Sequence, residues 1–265
     1  MIFALFAAAV TAAFFVGALI LLILGRRMGL RYLKRQKGNM AGLATIESAV
    51  FALIGLLLAF TISGALARFD ERRQLVVQEA NALGTAYDRL GLFDDPVGRD
   101  LRSKLKGYTL ARIELYRMPH DFSPWDAREE IWPRAQLDTI AALKAGVWNA
   151  AVAACPDANF RPACGPALIA LNSAFEVARL RLAAAEKHPP PIVYIMLFGL
   201  GLGGSLLAGF GMGAAAARSW VHKVAFAGAL AFTLYVVTDM EFPRLGLVRV
   251  DTFDHFLADA YDQMR

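Results

Sequence analysis

The sequence predicts an all-α membrane protein: four transmembrane helices, with an extramembrane helical bundle inserted between the second and third. Three observations predict it. The 265 residues are 57% hydrophobic with mean hydropathy +0.44, too apolar for an ordinary soluble domain. Four apolar runs, at 2–24, 43–66, 192–217 and 221–238, come close to or exceed the roughly 20 residues a bilayer crossing needs. Between the second and third runs lies a polar stretch, 67–190, long enough to fold by itself and patterned at helical rather than strand spacing.

The first run is read as an uncleaved helix rather than a signal peptide. It has no basic segment before it, its apolar part is too long, and its basic cluster follows. That cluster, in a loop expected at 25–40, holds Arg26, Arg27, Arg31, Lys34, Arg35 and Lys37 and no acid. Without those six the rest of the chain carries −1 instead of +5, and 67–190 has 17 basic and 16 acidic residues. The basicity is therefore a topology signal, and nucleic acid is excluded as the expected partner. Positive loops stay inside, and the short loop with Arg218 and Lys223 agrees. The expected setting is the bacterial inner membrane, with 67–190 in the periplasm.

The second run passes without a break into an amphipathic helix carrying Phe69, Val76, Ala80, Leu83, Tyr87 and Leu90 on one face. Asp95-Pro96 is expected to open the next helix, running to about Met118. Ser123–Asp126 opens another, kinked at Pro133 and ending near Ala154. Pro166 opens a fourth, to about Lys187. The domains expected are 1–66, 67–190, 191–238 and a tail, 239–265, ending in a short amphipathic helix. Cys155 and Cys164 are the only cysteines. In an oxidising compartment they pair, for roughly 2–3 kcal/mol; elsewhere they are two free thiols.

Each motif has a plain and a functional reading. "GLGLGG" at 199–204 has dinucleotide-fingerprint spacing but lies inside an apolar span, without the strand the fingerprint needs. Gly199/Gly203 and Gly209/Gly213 are small-residue helix-packing pairs. Ser48, Ala52, Gly55, Ala59 and Ser63 form a similar strip, within one chain or between subunits. Asp251, His255 and Asp259 share a face that is read as solvated. No catalytic order, metal cluster or cofactor motif appears, so no enzyme, metal or cofactor is expected. Glu47 lies about 6 Å inside the second span. It either snorkels to the surface as an anchor or opens a water path, an intramembrane acid often marking an ion route. Phe51, Ile54, Leu58 and Thr61 share its face and would form an apolar constriction.

Two blocks carry a family resemblance. "ESAVFALIGLLLAFTISGALARFDERRQLVVQEANALGTAYDRL" resembles the signature of the bestrophin-like domain family of bacterial membrane proteins, and "LYVVTDMEFPRLGLVRV" resembles its second block. The resemblance implies a homo-oligomeric ion channel, with anions the ions to be tested first, and a pentamer only by analogy with bestrophins. The competing expectation is a non-conducting structural or sensory protein whose periplasmic domain binds a partner. Arg68, Arg72 and Arg73 after the second span are expected to pair with Asp239 or Glu241 after the fourth, at the membrane interface.

Overall fold

A computed structural model of the chain describes residues 2–35, 43–118, 132–214, 220–242 and 244–264. Every regular element among them is helical. Four helices are long and apolar enough to cross a membrane. The chain divides into two compact units, one of residues 1–67 and 188–248, the other of 68–187 and 249–265.

In the first unit α1 is Ile2–Arg35, α6 is Pro191–Gly211 and α7 is Trp220–Glu241. The apolar part of α2, whose full range is Leu43–Leu90, completes it. Phe14, Ala18 and Leu22 of α1 meet Leu197 of α6 and Ala227, Ala231 and Leu234 of α7 in a buried cluster. Glycine sets the spacing of α1 and α6. A Cβ added at Gly209 would overlap the Leu22 carbonyl, and one at Gly213 would lie 2.8 Å from the carbonyl carbon of Gly29. Without side chains at these points the two backbones touch, which gains dispersion in a setting where lipid removes the hydrophobic incentive. Gly25 and Gly29 are the α1 half of this zipper and were not singled out in the sequence. Gly199 and Gly203, by contrast, have nothing within 4 Å of an added Cβ. They face away from the rest of the chain.

The basic stretch differs from the expected loop. Residues 25–35 are the last three turns of α1, because this zipper packs Gly25 and Gly29 against Leu206 and Phe210 of α6 and so holds them helical. Lys37, Arg218 and the expected helix start at Ser123–Asp126 lie outside the described residues.

The second unit packs the remainder of α2 with α3 (Val97–Arg117), α4 (Arg134–Ala154), α5 (Arg161–Glu186) and the short α8 (His255–Gln263). Leu83, Ala86 and Leu90, Leu101, Leu105 and Tyr108, Val147 and Ala151, Leu171 and Phe175, and Leu257 form its core. Tyr108 meets Phe175 edge-on at 5.2 Å.

Two helix starts and one expected kink differ from expectation. Pro96 is the cap of α3, and Asp95 instead pairs with Arg99 at 2.9 Å. Pro133 does not kink α4; its extended backbone precedes it and its carbonyl accepts the N–H of Gln136 and Leu137. The Phe160 carbonyl accepts from Ala163 and Cys164, so α5 starts at Arg161 and Pro166 sits inside it, forgoing one helical bond. The Cys155 and Cys164 sulfurs are bonded, joining the end of α4 to the first turn of α5. The stretch 239–265, expected as one tail, divides: 239–248 belongs with the first unit and 249–265 with the second.

Candidate functional site

The apolar half of α2 has three faces, and their surroundings differ. Along the first, the Glu47 carboxylate lies against Gly211. Phe51 stands edge-on to Phe226 at 6.2 Å. Ile54, 6% exposed, fills the space over Gly204, and Leu58 packs on the cluster formed by α1, α6 and α7. The Thr61 hydroxyl donates to the Leu57 carbonyl at 2.8 Å. This row seats α2 on the rest of the first unit. A helix turns 100° per residue, so the next row lies about a third of a turn round: Ser48, Ala52, Gly55, Ala59 and Ser63. All five are exposed in the single chain, and Gly55 has open space beside it. The third face carries bulk: Leu53 is 55% exposed, Leu56 52% and Phe60 67%. Large apolar side chains suit lipid tails; small and hydroxylated ones suit a close-packed helix or water.

A second group lies where α7 ends. Asp239 is buried, and its carboxylate accepts the backbone N–H of Leu247 at 2.8 and 3.0 Å and of Val248 at 2.7 Å. Gly246 is required beneath it, since a Cβ would fall 2.5 Å from the carboxyl carbon. The acid thereby folds the chain after α7 back on itself. Glu241 is fully buried 4.0 Å from His188 Nδ1, and the imidazole stacks on Phe242 at 4.7 Å.

Arg68, Arg72 and Arg73 belong to the second unit. Arg72 is buried and donates to the carbonyls of Ala184 and Lys187 at 3.0 and 2.9 Å, so it caps the end of α5. Arg73 pairs with Asp70 at 3.2 Å and lies 4.3 Å over the Phe253 ring.

The second unit also holds a buried ionic cluster that sequence reasoning missed. Glu79 of α2, 0% exposed, accepts Arg112 Nε at 2.7 Å and Arg181 Nη1 at 2.8 Å. Arg181 also pairs with Asp254 at 2.6 Å, and its guanidinium lies 3.5 Å over the Tyr116 ring. Arg112 donates to the Tyr116 hydroxyl at 2.7 Å and to the Ala178 carbonyl at 3.0 Å. Two acids face two guanidinium groups, so the buried charge balances. Burial disfavours the Arg112 cation, but Tyr116 and Glu79 beside it hold its pKa above the ordinary value. Burial likewise pushes the Tyr108 phenol up. A signal was present: Glu79 shares the apolar face of Val76, Leu83 and Ala86, where a lone acid requires a partner. Among the described residues no group of acids, histidines and cysteines could hold a metal.

Residues 11–252 match the bestrophin-like domain. Three solved chains of a bacterial bestrophin homologue from Klebsiella pneumoniae have a similar fold. One substituted variant is 13% identical, covering 93% of this chain and 98% of its own, with TM-score 0.67. Another is 14% identical, covering 94% and 98%, with TM-score 0.62. The structure phased on zinc is 15% identical, covering 93% and 98%, with TM-score 0.58. No curated protein matches.

Proposed function

We propose that this chain, which belongs to the bestrophin-like family, is the subunit of an oligomeric ion channel in the bacterial inner membrane, and that α2 contributes the wall of its pore. One observation carries the reading: the row Ser48, Ala52, Gly55, Ala59 and Ser63 runs the length of the apolar part of α2 and is exposed along all of it, with open space beside Gly55. Small side chains leave room for an ion with part of its water shell, and the two serine hydroxyls supply acceptors and donors to replace the rest. The bulky face of Leu53, Leu56 and Phe60 has no such capacity. The row Glu47, Phe51, Ile54, Leu58 and Thr61, first read as a candidate path, acts instead as the seat of α2, with Glu47 as its anchor near the entrance. Anions come first among the candidate ions, by the family relationship. The second unit stands on the periplasmic side, which supplies the oxidising conditions for Cys155–Cys164.

The test is flux through the purified chain in liposomes. With Cys155 and Cys164 bonded, a single introduced cysteine is the only free thiol. A charged methanethiosulfonate reagent should block flux at Ala52→Cys and Ala59→Cys and leave Leu53→Cys and Phe60→Cys unaffected. Block at Phe60→Cys but not at Ala59→Cys would overturn the assignment of faces. No flux of chloride, sodium or protons at any voltage or pH would overturn the channel itself and leave the non-conducting alternative.

A further inference from the structure

The end of α1 offers a second surface, separate from α2. Arg26, Arg27, Arg31, Lys34 and Arg35 fall in its last ten residues, with no acid anywhere on the helix. None of the five forms an ion pair or hydrogen bond with another described residue, and the Arg26 Nε is buried without a partner. Five cations with no partner among the described residues repel one another in so short a stretch, so the arrangement calls for anions from outside the chain.

Geometry says which anions. At 1.5 Å per residue α1 is about 51 Å long, against about 30 Å for the hydrocarbon of a bilayer. Its apolar part, 2–24, uses about 35 Å, so the last three turns reach the headgroup layer. They are not free to swing. Gly25 and Gly29 press on the backbone of Leu206 and Phe210, and the Tyr32 ring lies 5.7 Å from that of Phe210. At 100° per residue Arg27, Arg31 and Lys34 point the opposite way from that clamped face, with Arg35 beside them. All four are exposed, and Leu24, Met28 and Leu30 are exposed on either side of them. A fixed row of cations bordered by apolar side chains at headgroup depth matches a phosphate with its acyl chains attached. Arginine suits it further, since its planar fork binds two phosphate oxygens at once.

We propose that this face of α1 is a binding site for anionic phospholipid headgroups, with phosphates on Arg27, Arg31 and Lys34 and acyl chains along Leu24 and Met28. Each cation near such a surface contributes about a fivefold gain in affinity. The full chain in neutral detergent is titrated with phosphatidylglycerol, phosphatidylcholine or inorganic phosphate while its melting temperature is read. Phosphatidylglycerol should raise it, and phosphatidylcholine and inorganic phosphate should not. In the variant Arg27→Gln/Arg31→Gln/Lys34→Gln the phosphatidylglycerol concentration giving half the shift should rise at least about tenfold. An unchanged midpoint overturns the site, and so does an equal shift from phosphatidylcholine. An equal shift from inorganic phosphate overturns it in favour of a free-anion site. Native mass spectrometry of the unsubstituted chain gives a reading that needs no variant: preferential retention of phosphatidylglycerol supports the site, and equal retention of both lipids overturns it.

Discussion

Removal of the Glu79 carboxylate tests the physical account of the second unit most directly. Glu79 is 0% exposed and lies between Arg112 and Arg181, which are 1% and 4% exposed. Glu79→Ala removes the carboxylate that two buried guanidinium groups share. Breaking one side of a buried pair costs about 3–5 kcal/mol, because the partner charge stays desolvated. At about 2–4 °C per kcal/mol for a chain of this size, the melting temperature should fall by roughly 6–20 °C. Asp254→Ala is the comparison. Its carboxylate is 23% exposed, and Arg181 keeps Glu79, so the loss should be no more than about 1 kcal/mol after screening. The assay is thermal unfolding in detergent, followed by near-ultraviolet circular dichroism, to which Tyr108 and Tyr116 of the second-unit core contribute. A fall under 2 °C for Glu79→Ala, or a greater fall for Asp254→Ala, would refute the reasoning.

Three further outcomes are expected. Gly209→Ala should separate α1 from α6 and cost about 1–3 kcal/mol by overpacking, whereas Gly203→Ala, with open space beside it, should leave the melting temperature within about 1 °C; equal effects would remove the zipper. Alkaline phosphatase fused after Pro124 should be active and green fluorescent protein fused there dark, and the reverse would invert the topology. The sequence expectation that Arg68, Arg72 or Arg73 pairs with Asp239 or Glu241 is tested on Arg72 and Asp239: a coupling of at least about 0.5 kcal/mol in a double-mutant cycle would support it, and strict additivity of Arg72→Ala and Asp239→Ala would exclude that pair.

What was legible in the sequence follows from which interactions are periodic. The apolar stretches and the unbroken passage from 43–66 into 67–90 were readable because both rest on spacing along one helix. The kink expected at Pro133 and the helix start expected at Pro166 were misread because proline permits several positions near a helix end, and the choice falls to neighbouring carbonyls such as Phe160. The Gly209/Gly213 pair was recognised but not its partners Gly25 and Gly29, since a zipper is a property of two helices and only one was being read. The three faces of α2 could be drawn from sequence, but which one seats on α6 could not: Ile54 against Gly204 is a contact 150 residues apart. Arg112 and Arg181 were invisible for the same reason, although Glu79 on an apolar face announced that something must meet it.

The split of the last stretch between the two units has a consequence for biosynthesis. The core of the second unit begins with α2 but includes Leu257 and Met264, and Arg181 relies on Asp254. Those residues follow α6 and α7 in the chain. While the ribosome is still delivering these two apolar helices to the insertion machinery, the bundle therefore waits with one side of its core uncovered and one buried guanidinium half-neutralised. Closure is the last event, dependent on contacts some 150 residues apart and correspondingly slow. Chains stalled before residue 249 should already hold their spans in the bilayer yet still expose this bundle to proteases, and residues 249–265 should convert it to a resistant form.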